Sequence, residues 1–309
     1  MAVLDLGTHN CRLLIARPLG RDGFRVVDSF SRIVRLGEGV AATGLIADAV
    51  MDRAIAALKL CAERIGRHHV RHVRAIATQA ARQARNADVL VERARTEAGI
   101  ALTVIPSETE AKLAALGCAP LIGRRHAGAL VFDIGGGSTE IIHMKRGANG
   151  FETVLSVSLP LGVVTLSEEY GPAAQSRAGF EAMRAAAMAR FKPFARNFDP
   201  EHEHLLGTSG TVTTLAALAL KLPRYNRRRI DGSWHETAAA LAVAERISRM
   251  ETAHLARLGP VGPERADLML AGSAIFGAIC ALWPARMLRV ADRGLREGML
   301  RQMREELSL

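Results

Sequence analysis

The sequence predicts an α/β protein built from two similar domains that face one another across a central cleft. Apolar runs of strand length alternate with longer amphipathic stretches, as expected of layered α/β domains. A strand that ends in Asp and turns on Gly and a hydroxyl occurs twice, in Asp5-Leu6-Gly7-Thr8-His9-Asn10 and in Asp133-Ile134-Gly135-Gly136-Gly137-Ser138. The length, 309 residues at 49% hydrophobic, also exceeds the usual size of a single core.

In the first half, strands are expected at 2–6, 11–17, 24–34, 73–77 and 101–105, with helices at about 46–66, 86–98 and 107–117, where apolar residues recur at helical spacing. The second half begins near Arg124-Arg125-His126, with strands at 128–133, 138–144 and 152–159. Helical patterns follow at about 163–197, 209–220, 236–257 and 264–283, and a last helix starts near 295. Residues 268–283 make up most of the longest uncharged run, which ends before Arg286 and is shorter than the roughly 20 residues needed to span a bilayer, so a core helix is expected and no membrane.

The second glycine loop carries the most chemistry. Three successive glycines let backbone N–H groups approach an oxyanion with no Cβ in the way. Asp133 and Glu140 flank that loop and could hold a divalent cation or a water, whereas an ordinary hairpin would account for the same string. The repeat of the design at Gly7-Thr8-His9-Asn10 is stronger evidence than either loop alone.

Composition adds a formal charge of +10, with nearly all the cations arginine. Arginine pairs bidentately with phosphate oxygens, which suits a polyanionic partner; a general compositional bias would give the same excess. Basic runs lie at 67–74, 124–126 and 224–229, each either a phosphate track or a solvated face. Nucleic acid is not expected, since only 4% of residues are aromatic and no nucleic-acid motif stands out. The four cysteines, Cys11, Cys61, Cys118 and Cys280, show no metal or redox spacing, and the N-terminus has no secretory pattern, so a cytoplasmic protein is expected.

Over nearly its whole length the chain resembles the exopolyphosphatase and guanosine pentaphosphate phosphatase family, within the actin, sugar kinase and Hsp70 ATPase superfamily. Beyond the two loops, the resemblance rests on 77–86 with Thr78, Arg82 and Asn86, on Glu110-Ala111-Lys112-Leu113, on Gly207-Thr208-Ser209-Gly210-Thr211, on Glu264-Arg265-Ala266-Asp267 and on 292–298, all in the family's order. It implies two ribonuclease H-like domains, 1–123 with a C-terminal helix at about 295–309, and 124–294. It also implies a homodimer.

In the family a glutamate at the Glu110 position activates water, although Ser107-Glu108-Thr109-Glu110 read alone is a capping box. By resemblance, Gly7, Thr8, His9 and Asn10, together with Gly135, Gly136, Gly137 and Ser138, cradle the terminal phosphoryl group while Arg82 neutralises its oxygens. Mg²⁺ is expected on Asp133 with help from Asp5 or Glu140, and a monovalent cation beside it is left open. Gly210 belongs to a loop near a nucleotide or hinge, where Thr208 or Ser209 could equally cap a helix. The expected activity is processive exopolyphosphatase hydrolysis. Hydrolysis of guanosine pentaphosphate is the alternative, and a phosphotransferase and a non-catalytic sensor of polyphosphate or guanosine nucleotides are further readings. The chain departs from the family pattern at Thr8-His9-Asn10, at Lys112 and at Pro106-Ser107.

Overall fold

The computed structural model describes residues 1–20, 23–148 and 150–308, so Leu309 of the expected last helix lies outside the described residues. The chain divides into two compact units, Met1–Gly117 with Leu295–Leu309, and Cys118–Gly294. The elements begin β1 (Ala2–Leu6), β2 (Asn10–Leu19), β3 (Gly23–Ile33), α1 (Val40–Thr43), α2 (Asp48–Arg67), β4 (Val73–Ala77), α3 (Gln79–Gln83), α4 (Ala87–Ala98), β5 (Leu102–Val104) and α5 (Ser107–Cys118). They continue β6 (Gly128–Ile134), β7 (Thr139–Gly147), β8 (Gly150–Leu159), α6 (Val163–Tyr170), α7 (Arg177–Phe191), β9 (Glu203–Thr208), α8 (Ser209–Ala219), α9 (Arg227–Ile230), β10 (Trp234–Glu236), α10 (Thr237–Ile247), α11 (Thr252–Leu255), α12 (Met269–Leu282), β11 (Met287–Val290) and α13 (Leu295–Glu306).

In the first unit the sheet order is β3-β2-β1-β4-β5, with β1 antiparallel to β2 and parallel to β4. All of β1 is buried because successive side chains meet helices on opposite faces. Ala2, Leu4 and Leu6 pack with Met51 and Leu58 of α2 and Leu90 of α4, while Val3 packs with Leu113 of α5 and with Met299 and Leu300 of α13. Asp5 projects on the Val3 side by the same alternation. In α2, Asp48 in the first turn and Arg64 and Arg67 in the last complement the helix dipole.

In the second unit the order is β10-β11-β9-β6-β7-β8. Its run β8-β7-β6-β9-β11 repeats the order and strand senses of the first unit, with β10 added antiparallel along β11. The duplication read from two short loops is therefore a duplication of whole sheets. Leu130, Phe132 and Ile134 of β6 pack with Val212 of α8, Phe180 and Met183 of α7, and Phe276 of α12. Gly207 on β9 leaves room for the Phe132 ring, whose Cζ would lie 2.5 Å from a Cβ there.

Several expected elements differ. The helical pattern at 163–197 breaks into α6 and α7, because Gly171 at φ 53° and Pro172 stop the first, and Ser176 starts the second by accepting from the Gly179 N–H at 3.0 Å. The pattern at 236–257 likewise ends α10 at Ile247. Strand β9 escapes a hydropathy reading because it opens on Glu203, which is buried and accepts from His143 Nε2 at 2.8 Å.

Strand β9 also fastens the segment after α5. His204, fully buried, donates from Nδ1 to the Leu205 carbonyl and accepts the Gly123 N–H at Nε2, and burial lowers its pKa to about 4. The unfolded chain takes up that proton first as pH falls, so stability is lost between about pH 6.5 and 4, by about 3 kcal/mol at most. His204→Asn should show a smaller drop in urea midpoint between pH 7 and 4.5 than the parent. Gly298 of α13 lies against α5, where an added Cβ would come within 1.9 Å of the Leu113 carbonyl oxygen. Gly298→Ala is expected to destabilise the first unit by about 1–3 kcal/mol, read as a lowered urea midpoint.

Candidate functional site

Both loops close in the same way. The Gly7 N–H donates to the Asn10 carbonyl at 2.9 Å between the paired Leu6 and Cys11, and the Gly135 N–H donates to the Ser138 carbonyl at 2.9 Å between the paired Ile134 and Thr139. Each is a four-residue hairpin loop, so the ordinary hairpin is present. What distinguishes these hairpins is the commitment of their carbonyl groups. The Gly135 carbonyl accepts from Val163 N at 2.9 Å, and that of Gly136 from Val164 N at 2.8 Å, both in the first turn of α6. In a planar trans peptide the N–H points opposite its C=O, so the Gly136 and Gly137 N–H groups point away from α6.

The first loop is backed differently. The Thr8 carbonyl accepts from Gly37 N at 2.9 Å, and the His9 carbonyl from Val34 N and Arg35 N at 2.9 and 3.0 Å, which turns the His9 and Asn10 N–H groups the other way. Thr8 Oγ1 and Asn10 Oδ1 are buried with no hydrogen-bond partner among the described residues. Buried polar groups are costly when unmet, so this pair is open to a water or to a polar ligand. Rotating the Asn10 amide offers its NH₂ there in place of the oxygen.

Thr78, Arg82 and Glu110 stand at the carboxyl ends of β4 and β5, on the sheet edge that also carries the first loop, where ligands of α/β sheets bind. Arg82 Nη1 donates to Glu110 Oε2 at 2.7 Å and to the Ile105 carbonyl at 3.0 Å, while Nε and Nη2 donate to Gln79 Oε1. Four of its five N–H groups are thus engaged, leaving one Nη2 N–H for a phosphate oxygen. The Glu110 N–H donates to the Pro106 carbonyl, so the helix is entered one residue before the Ser107 that a capping box would use. Asn86 has a structural place, its amide bonding both Ile46 N and Ile46 O at 3.0 and 2.9 Å.

In the second unit Ser138 and Ser158 both donate to Glu140 Oε1, each at 2.7 Å, and Glu140 is buried. Asp133, half-buried, pairs directly across the strands with Glu140. Adjacent carboxylates repel, and a cation between or beside them relieves that. Mg²⁺ usually takes only one or two protein carboxylates together with phosphate oxygens and water, so Asp133 with Glu140 behind it fits such an ion. Asp5 fits less well: burial raises its pKa, and Arg12 and Arg296 lie close enough to pull it down. Among the described residues no group of three or more His, Cys, Asp or Glu side chains forms a metal cage.

Thr208 stands before α8 without capping it through its side chain, and its hydroxyl donates to the Arg293 carbonyl at 2.7 Å. Ser209 adopts φ 77° and its hydroxyl donates to the Ile134 carbonyl at the base of the second loop. Gly210 therefore lies in the first turn of a helix, α8, whose N-terminus adjoins that loop. Arg293 pairs with Asp231. The sequence reading missed Ser158, Gly37 and Gly162, whose contacts join segments distant in sequence.

A model of the Ppx/GppA phosphatase family matches residues 15–307. The chain belongs to this family. It is 35% identical over 288 residues to exopolyphosphatase 2 of Mycobacterium tuberculosis, across 89% of this chain and 88% of that protein. It is 30% identical over 312 residues to a guanosine-5'-triphosphate,3'-diphosphate pyrophosphatase of Aliivibrio fischeri, covering 99% of this chain and 59% of that protein. Among solved structures, an exopolyphosphatase-like protein superposes with a TM-score of 0.91 at 28% identity, over 100% of this chain and 98% of that one. A Ppx/GppA member from Aquifex aeolicus gives 0.82 at 27%, with the same coverage. This is a hydrolase fold with two actin-like α/β domains, and no described helix is long and apolar enough to cross a membrane.

A Cβ on Gly162 would lie 2.3 Å from the Gly136 carbonyl oxygen and 2.5 Å from Gly137 N, against the back of the second loop. Gly162→Ala should displace the loop at a cost of about 1–3 kcal/mol, read as a lowered urea midpoint while the circular dichroism spectrum is kept.

Proposed function

We propose that this Ppx/GppA member is an exopolyphosphatase that removes the terminal phosphate of inorganic polyphosphate processively, with Glu110 as the base. The observation that carries the reading is the Arg82–Glu110 pair, which holds a carboxylate on the sheet edge bearing the first loop. The likeness to exopolyphosphatase 2 over most of both chains supports the substrate.

In this reading each loop offers its outward N–H groups to non-bridging phosphate oxygens, the first loop adding the Thr8 hydroxyl and the remaining Arg82 N–H. Glu110, aimed by Arg82, accepts a proton from water as the water oxygen bonds to the terminal phosphorus. The bridging P–O bond breaks, releasing orthophosphate and a chain one unit shorter. Asp133 with Glu140 would hold Mg²⁺, which when bound would neutralise charge on phosphate oxygens. Phosphoryl transfer depends mostly on positioning and electrostatics, so the base contributes less than the whole cradle, to which Ser138, fixed by Glu140, belongs.

A second reading, hydrolysis of guanosine pentaphosphate, is favoured by the Aliivibrio fischeri relative, which aligns with almost all of this chain. Phosphate release from long-chain polyphosphate and guanosine pentaphosphate should be measured in parallel with Mg²⁺. The expected outcome is a preference for polyphosphate, with Glu110→Gln slower by on the order of 10²–10⁴ and binding retained. Preference for the nucleotide would establish the second reading. Binding of either without turnover would make the protein a sensor.

A further inference from the structure

The basic run at 224–229 is bonded to the chain that follows β11, at the end of the sheet where the parallel strand β6 runs into the second loop. Arg227 donates to the Asp292 carbonyl at 2.8 Å and pairs with its carboxylate at 3.4 Å. Asp231 accepts from Asp292 N at 3.0 Å and pairs with Arg293. The Tyr225 hydroxyl bonds Asp292 and Thr213, the latter in the second turn of α8, and burial with the Asp292 charge raises its pKa. Gly294, two residues beyond Asp292, lies so close to Asp133 that an added Cβ would be 3.9 Å from its Oδ2. The run is thus tethered, through the end of β11 and through α8, to the elements that carry Asp133 and Gly210.

The tethers use up the local carboxylates. Asp231 and Asp292 answer Arg293 and Arg227, and this leaves Arg224, Arg228 and Arg229, all exposed and with no hydrogen-bond or ion-pair partner among the described residues. Three uncompensated guanidiniums within six residues repel one another, and each offers a planar fork suited to phosphate oxygens. A flexible polyanion with closely spaced charges would satisfy all three at once, whereas a nucleotide carrying its charges in one short cluster would not.

We propose that Arg224, Arg228 and Arg229 form a distal phosphate-binding track that holds a long polyphosphate chain beyond the phosphates engaged by the second loop, and so favours long polymers over short ones. This rests on the exopolyphosphatase reading for its substrate but is tested by binding. Dissociation constants for long-chain polyphosphate and for tripolyphosphate would be measured over a range of salt for the full-length parent, for a variant combining R224A, R228A and R229A, and for the matching triple Lys variant. Turnover of both substrates would be followed in parallel.

For the Ala variant, long-chain binding should weaken about 10- to 100-fold at low salt, its salt slope should fall by about two, and tripolyphosphate binding should be unchanged; the Lys variant should recover most of the loss. Unchanged long-chain binding, or an equal loss for the short and long chains, would overturn the proposal. So would a single-stranded oligonucleotide of equal charge that competes as well as polyphosphate, since the patch would then be a general polyanion surface. If the parent fails to hydrolyse polyphosphate while the binding difference persists, the hydrolase reading falls and the track stands. If the parent hydrolyses it and binding does not change in the Ala variant, the track falls alone.

Discussion

The rest of the structure depends on one constraint, the commitment of loop carbonyl groups to backbone N–H groups behind them. A glycine-rich hairpin left to itself samples many conformations, and ordering it is costly for glycine in particular. In the second loop, the first turn of α6 captures the Gly135 and Gly136 carbonyls, and Gly162 has no Cβ to obstruct the approach. The helix N-terminus thereby satisfies its own orphan donors and fixes the loop in the same bonds. Peptide planarity then sets the direction of the opposite N–H groups.

The two units solve this problem with different residues. In the first, the backing comes from the chain after β3, where Arg35 adopts φ 49° and Gly37 passes so close that a Cβ would meet Thr8 Cγ2 at 2.3 Å. That loop has only one glycine and adds side-chain groups, Thr8 and Asn10, where the second has three glycines and the single side chain of Ser138, already bonded to Glu140. The imidazole of His9, a departure from the family pattern, is buried and leaves its carbonyl as the anchor.

Anchored carboxylates are the second common device. Glu140, buried near the start of β7, is held by two serine hydroxyls, and Glu110, half-buried in the first turn of α5, by a guanidinium, so each occupies one orientation. Removing an ionised group from water is tolerable when it is paired and hydrogen-bonded, and the pairing fixes the orientation of the carboxylate. Arg82 accordingly serves Glu110 first, and only one of its N–H groups remains for the substrate oxygens that the resemblance assigned to it.

The sequence by itself determined the α/β class, the two loops, the strands of the first unit and the helix that carries Glu110, because these depend on local periodicity, on glycine and on short motifs. Only the tertiary structure decided where the long helical patterns break, that Glu203 opens a buried strand, that Asn86 clamps Ile46, and that Glu140 fixes Ser138 together with Ser158. These outcomes depend on contacts between segments far apart in the chain, such as His143 with Glu203 or α6 with the second loop. A single sequence does not encode such contacts in any local pattern, since each partner taken alone is an ordinary polar residue or a glycine.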